Sequence, residues 1–236
     1  MSQSKPPVTT SSRQDIDAFI DQLQRAPAVV TTEDAGRLVF ALDATASRQP
    51  TWDHACHLQS EMFRAAADIG GLQVQLCYFR GFGDFYHSDW LSNTNTLLKQ
   101  MNGVQCMAGH TQIERLLNHA LFETRLRKVQ AIIYIGDCVE ESVDKICQQA
   151  GELGLLGTPV FVFQEGNELV AKRCFKQIAR LSGGAYSSFG SHSAKILHDL
   201  LAAVAIYAAG GRKALEDFAR RKQGEVLKLT HQLFDS

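Results

Sequence analysis

Gly36-Arg37-Leu38-Val39-Phe40-Ala41-Leu42-Asp43-Ala44-Thr45-Ala46-Ser47 is an apolar run that ends in an aspartate and continues into hydroxyl residues at alternate positions. Val39, Phe40 and Leu42 leave the run without a polar face, so it reads as a strand buried on both sides. Asp43 then stands at the carboxyl end of that strand. Asp43, Thr45 and Ser47 put three oxygen-bearing side chains into one short loop. Such a hard donor set suits Mg²⁺ or Mn²⁺ rather than a thiolate-loving metal. Hydroxyls in a loop of this kind also cap helices, so its chemistry depends on what the rest of the chain brings to it.

Beyond this stretch, strand and helix patterns alternate. Leu72 to Phe79, Val129 to Ile135, Pro159 to Phe163 and the short Ala185-Tyr186-Ser187 read as strands, and the second of these ends in Gly136-Asp137. Helical spacing runs from Pro50 through Trp52, Met62, Phe63 and Ile69, and again over Thr94 to Met101. It recurs in Ile113, Leu116, Leu117, Ala120 and Leu121, and in Val143, Ile146, Cys147 and Ala150, where Gly151 is the expected stop. Leu169 to Leu181 is helical up to Ser182-Gly183-Gly184, and a long helix follows from about Ser193 to Ala209. Arg80-Gly81-Phe82-Gly83-Asp84 reads as a turn, with Phe85 to Trp90 returning antiparallel at the sheet edge.

This alternation predicts an α/β fold. It is doubly wound, with a mostly parallel central sheet, one short antiparallel edge strand and helices on both faces. Residues 1–13 are expected to be a disordered tail, 14–35 a helix and polar turn, 36–209 the domain, and 210–236 an amphipathic helical tail with Arg220-Arg221-Lys222 as its basic stretch.

The totals narrow the function. The 24 basic and 25 acidic residues nearly cancel, which argues against nucleic acid as the partner. Six cysteines without a CxxC pair, several of them in apolar patterns, read as reduced thiols of a cytoplasmic protein. Residues 1–13 hold no apolar signal core, and Leu200 to Ala209 is too short to span a bilayer, so no membrane association is expected.

In an open parallel sheet, ligands bind beyond the carboxyl ends of the strands where strand order reverses. Asp43 and Asp137 both end strands, and Thr111 opens the helix that starts near Gln112. If the two aspartate strands are neighbours at that reversal, their oxygens and the hydroxyls converge, and water completes an octahedral Mg²⁺ shell.

On these residues the chain resembles a von Willebrand factor A (integrin I-like) domain with a metal-ion-dependent adhesion site, over roughly residues 36–209. The family's Asp-x-Ser-x-Ser stands as Asp43-Ala44-Thr45-Ala46-Ser47, its loop threonine matches Thr111 in Gly109-His110-Thr111, and its second aspartate matches Asp137. The run Ile178-Ala179-Arg180-Leu181-Ser182-Gly183-Gly184 is similar to the end of these domains. Two departures stand out: Thr45 replaces the first serine, and Asp137 is flanked by Gly136 and Cys138.

The resemblance implies that Thr45 and Ser47 touch the metal, that Asp43 and Asp137 bind it directly or through water, and that Thr111 can join them. One position stays open for an Asp or Glu of a protein partner. Resemblance to intracellular members implies a part in assembling or regulating a larger complex, such as one with an ATPase. His110, beside Thr111, and Phe82 and Tyr86 in the aromatic segment are candidate partner contacts.

An enzyme is not expected, since no base or nucleophile stands out beside the oxygen cluster. A two-aspartate phosphatase mechanism needs an acid where Thr45 stands, and neither a P-loop nor a GxSxG elbow is present. A metal-dependent phosphate-ester hydrolase using the same cluster, and a metal-free scaffold using the aromatic segment or basic tail, are the alternatives.

Overall fold

The computed structural model describes residues 13–26, 35–48, 72–189 and 194–221. The predicted helix after Pro50, the polar turn before Gly36 and the terminal tails lie outside them, except that Arg13 already belongs to the first helix.

Six strands, β1 (Gly36–Asp43), β2 (Leu72–Arg80), β3 (Asp84–His87), β4 (Ala131–Gly136), β5 (Val160–Glu165) and β6 (Tyr186–Phe189), form one sheet in the order β3-β2-β1-β4-β5-β6. All neighbours are parallel except β2 and β3, the antiparallel edge pair. Chain order reverses on either side of β1, so the switch point lies between β1 and β4. Leu42 is level with Ile135, which puts Asp43 and Gly136 side by side at the carboxyl edge.

The helices are α1 (Arg13–Arg25), α2 (Thr94–Asn102), α3 (Ile113–Leu126), α4 (Val143–Leu155), α5 (Leu169–Ser182) and α6 (Ala194–Arg221). They divide between the faces. Leu38, Phe40 and Leu42 of β1 pack with α1, α2 and α6, while Val39 and Ala41 pack with α3, α4 and α5. Both faces are covered, which is why β1 and β4 are apolar without alternation. Leu200 to Ala208 in α6 are all buried, as expected of a helix apolar all round. Gly36 has no side chain because α6 lies against it: a Cβ there would sit 2.1 Å from the Ala208 carbonyl oxygen. Among the described residues no helix is long and apolar enough to cross a membrane.

Two boundaries differ from the sequence pattern. α4 runs through Gly151 to Leu155, and a left-handed Gly157 (φ 66°) follows it. Packing overrides the poor helix propensity of glycine here, for at Gly154 a Cβ would come 2.2 Å from the Leu181 carbonyl oxygen of α5. α6 continues past Ala209 to Arg221, with a non-helical Gly211 (φ 71°) breaking its line.

A polar clamp sits at the amino end of the sheet. Arg37 is buried, donates to Glu123 Oε2 (2.8 Å) and the Arg127 carbonyl (2.6 Å), and lies over the Trp90 ring at 3.6 Å. Trp90 Nε1 also donates to Glu123 Oε2, at 3.0 Å. Trp90 and Phe85 are partly buried and pack against the core under α3.

Candidate metal centre

Asp43 is completely buried at the end of β1, and its Oδ1 accepts the Thr45 backbone N–H at 2.8 Å. The backbone turns there because Ala44 N–H bonds the Phe79 carbonyl of β2 (2.9 Å), while the Ala44 carbonyl accepts from Met107 N–H (3.0 Å). Thr45, also buried, has its hydroxyl 3.2 Å from that of Ser47, which is exposed in the 3-10 turn Ala46–Arg48. The extra methyl of Thr45 is therefore accommodated, and both hydroxyls face one another across the loop.

The second carboxylate comes from the β4–α4 loop. One atom each from Asp43, Asp137 and Cys138 lie within 4.8 Å of one another. Asp137 Oδ1 is buried with no hydrogen-bond partner among the described residues. Burial, then the charges of Asp137 and Asp43, push the Cys138 thiol up to about 12.

Beneath this cluster lies Tyr134, which points to the same face of β4 as Gly136. Its hydroxyl fills the space where a Gly136 side chain would stand, 2.4 Å from that Cβ position. The hydroxyl has no hydrogen-bond partner among the described residues. Burial first, and then the negative charge of Asp43, hold its pKa well above the usual phenol value. The glycine before Asp137 is thus required by the tyrosine below it.

The same loop positions the threonine. Thr111 and Glu140 bond reciprocally: Thr111 N–H donates to Glu140 Oε2 and Glu140 N–H donates to Thr111 Oγ1, each at 3.0 Å. Glu141 goes further and caps α3 from outside, its two oxygens accepting from Ile113 N–H (2.6 Å) and Glu114 N–H (2.9 Å). Gln112, at the N-cap position, makes no side-chain cap of its own. The β1 loop and the Thr111 loop are joined through Met107, and the Thr111 loop and the β4–α4 loop through Glu140.

An exposed rim surrounds these groups. Phe82 is 81% exposed and meets His110 edge-on, with ring centroids 5.2 Å apart. His110 Nδ1 is 3.3 Å from Glu140 Oε2. Met107, 45% exposed, pairs across a β-bridge with Thr45. Tyr86 goes elsewhere: it stacks on Tyr78 at 4.9 Å, on the edge strand.

The donor set fits a divalent cation. With both carboxylates ionised and within 4.8 Å of each other, their repulsion is about 3 kcal/mol at an effective dielectric of about 20. A cation between them converts that repulsion into attraction. Asp43 and Asp137 are brought together at the switch point, Thr45 and Ser47 share the loop of the first, and Thr111 is tied to the loop of the second. The sequence pattern does not single out Cys138, Glu140, Glu141, Tyr134 or Met107. Only Gly136, a glycine two residues after a tyrosine in a buried strand, carried a local signal.

No protein-family profile and no curated protein sequence matches the chain. Solved structures do resemble it. An aerotolerance-related membrane protein from Bacteroides fragilis NCTC 9343 superposes with a TM-score of 0.55 at 17% identity, over 70% of this chain and 96% of that one. The von Willebrand factor A domain of SpRpn10 gives 0.58 at 10% identity, over 71% and 94%. Proximal thread matrix protein 1 from the mussel byssus, in a structure with its adhesion-site motif occupied by zinc, gives 0.54 at 18% identity, over 72% of this chain and 46% of that one. At such identities the likeness speaks for the fold, and the fold is of the von Willebrand factor A type, a Rossmann-like α/β sheet.

Proposed function

We propose that this chain is a metal-dependent protein-binding domain that works without turnover. The observation that carries it is the meeting of Asp43 and Asp137 at the switch point of the sheet, under an exposed rim of Phe82, Met107 and His110. Asp43, Thr45, Ser47, Thr111 and Asp137 would hold the cation, and Mg²⁺ or Mn²⁺ suits these oxygens. The bound ion supplies a positive, incompletely neutralised centre.

The residues of this chain do the rest. Asp43 and Asp137 set the charge, and Thr45 and Ser47 present hydroxyls to the same loop. Glu140 and Glu141 fix the Thr111 loop. An Asp or Glu of the partner completes the shell, while Phe82, Met107 and His110 contact the protein around it. The role we propose is intracellular, in assembling or regulating a larger complex, with an ATPase as a candidate member.

A cation that binds only the native state adds about 2.7 kcal/mol at a hundred times its dissociation constant. For a chain of this size that raises Tm by roughly 5 to 10 °C. Titrating Mg²⁺ or Mn²⁺ is expected to give such a rise in the unaltered chain and none in Asp43→Ala. Equal responses from both, or no response up to millimolar metal, would refute an Mg²⁺ or Mn²⁺ site at Asp43. With the site in hand, capture of an acidic peptide that needs the metal is the direct test of the partner reading.

A further inference from the structure

We infer that Cys138 is a ligand of this centre and turns it toward borderline cations, Zn²⁺ or Co²⁺, in preference to Mg²⁺. The inference rests on the metal-site reading above and deepens it. Its basis is geometric: the thiol sulfur and one oxygen each of Asp43 and Asp137 lie within 4.8 Å of one another, a span that one ion can bridge. Two carboxylates and a thiolate form a mixed donor set. Zinc accepts sulfur at about 2.3 Å and carboxylate oxygen at about 2.0–2.2 Å, whereas Mg²⁺ takes oxygen almost exclusively.

A second observation marks the same spot as a ligand site. The Tyr134 hydroxyl is buried, lies against Gly136 next to Asp137, and has no hydrogen-bond partner among the described residues. Coordinated carboxylates and thiolates are normally supported by such an outer donor. Asp137 Oδ1 likewise is buried and accepts no hydrogen bond from the described residues.

The remaining coordination comes from the Thr45 or Ser47 hydroxyl, or from water. On binding, the sulfur–hydrogen bond of Cys138 is lost, a sulfur–metal bond forms, and the proton leaves to buffer. Sulfur ligation also separates Cys138 from the free thiols of Cys77 and Cys174, which are buried in the core among apolar side chains.

Cobalt gives a direct readout, because a thiolate bound to Co²⁺ produces a charge-transfer band in the near ultraviolet. The full chain is expected to show that band, and both Cys138→Ser and Asp43→Ala to lack it. Cys138→Ser is also expected to lower Zn²⁺ affinity by about a hundredfold or more, beyond the roughly tenfold to hundredfold scale of groups that only support a ligand, and to lower Mn²⁺ affinity less. A band that survives in either variant places the thiolate outside this centre and overturns the inference. Absence of the band, with Mn²⁺ still raising Tm in the unaltered chain and not in Asp43→Ala, overturns it while leaving the oxygen site standing. No response to any of these ions overturns both.

Discussion

Gly136 stands two residues beyond Tyr134 on one face of β4, and its missing side chain is what admits the phenol beneath the two aspartate loops. Gly136→Ala would set a methyl 2.4 Å from the hydroxyl oxygen and 2.7 Å from the ring carbon that bears it. Overpacking of this kind costs about 1–3 kcal/mol. Chemical denaturation is expected to show that loss, with Tyr134→Phe in the same chain recovering part of it by removing the closer contact. At this scale the strand-end positions of Asp43 and Asp137 were readable, because apolar runs that stop in an acid mark strand ends, and Thr45 and Ser47 follow in the loop of the first. Cys138 was hidden, since nothing local separates a thiol beside carboxylates from one in a core. Phe82 and His110 were legible as candidate contacts and do meet at the rim, while Tyr86 is drawn off to Tyr78 by the cross-strand register of β2 and β3.

The start of α3 depends on a side chain from another element. Glu141 satisfies two of the helix's first amides, and Glu140 holds Thr111 just before them. Removing a cap costs about 1 kcal/mol. Glu141→Ala is therefore expected to lose about that much stability and to speed amide exchange at Ile113 and Glu114. Glu141→Gln, which keeps one acceptor oxygen, should lose less. Hydrogen-exchange mass spectrometry with urea unfolding checks both. The described strands and helices were legible from their periodicity, but this cap was not: its partners are far apart in the chain and share no pattern. The end of α4 was misread for a related reason. Gly151 looks like a stop, yet contact between Gly154 and α5 makes the continued helix worth more than glycine's local cost.

At the scale of the molecule, the Arg37 clamp and the aspartate loops occupy opposite ends of β1, so the two can be perturbed separately. Burial alone would raise the Glu123 carboxyl, but the Trp90 indole N–H and the Arg37 guanidinium outweigh it and hold its pKa below the ordinary 4.5. A depressed folded-state pKa contributes stability that is present above about pH 4.5 and lost as pH falls through the folded value. Glu123→Gln is thus expected to cost about 3 kcal/mol at neutral pH, the scale for breaking a buried pair from one side. The gap from the unaltered chain should close below pH 4.5. His119 acts over another window: burial, then His87, lower it to about 4 against the opposing charge of Glu123, so its share is full above 6.5 and fades toward pH 4. Denaturation curves at several pH values, compared between variant and unaltered chain, check the Glu123 share. A lone arginine inside an apolar strand was the visible sign of this clamp, but its partners were not readable.

The close approach of Ala208 to Gly36 also bears on the order in which the molecule is made. β1 leaves the ribosome before the other strands, while α6, which covers one of its faces, is translated last of the described elements. Until then Leu38, Phe40 and Leu42 lack the helix that buries them beside α1 and α2. Until α6 emerges, α1 and α2 are the described helices that cover this face, and apolar surface left open in this way is prone to aggregation.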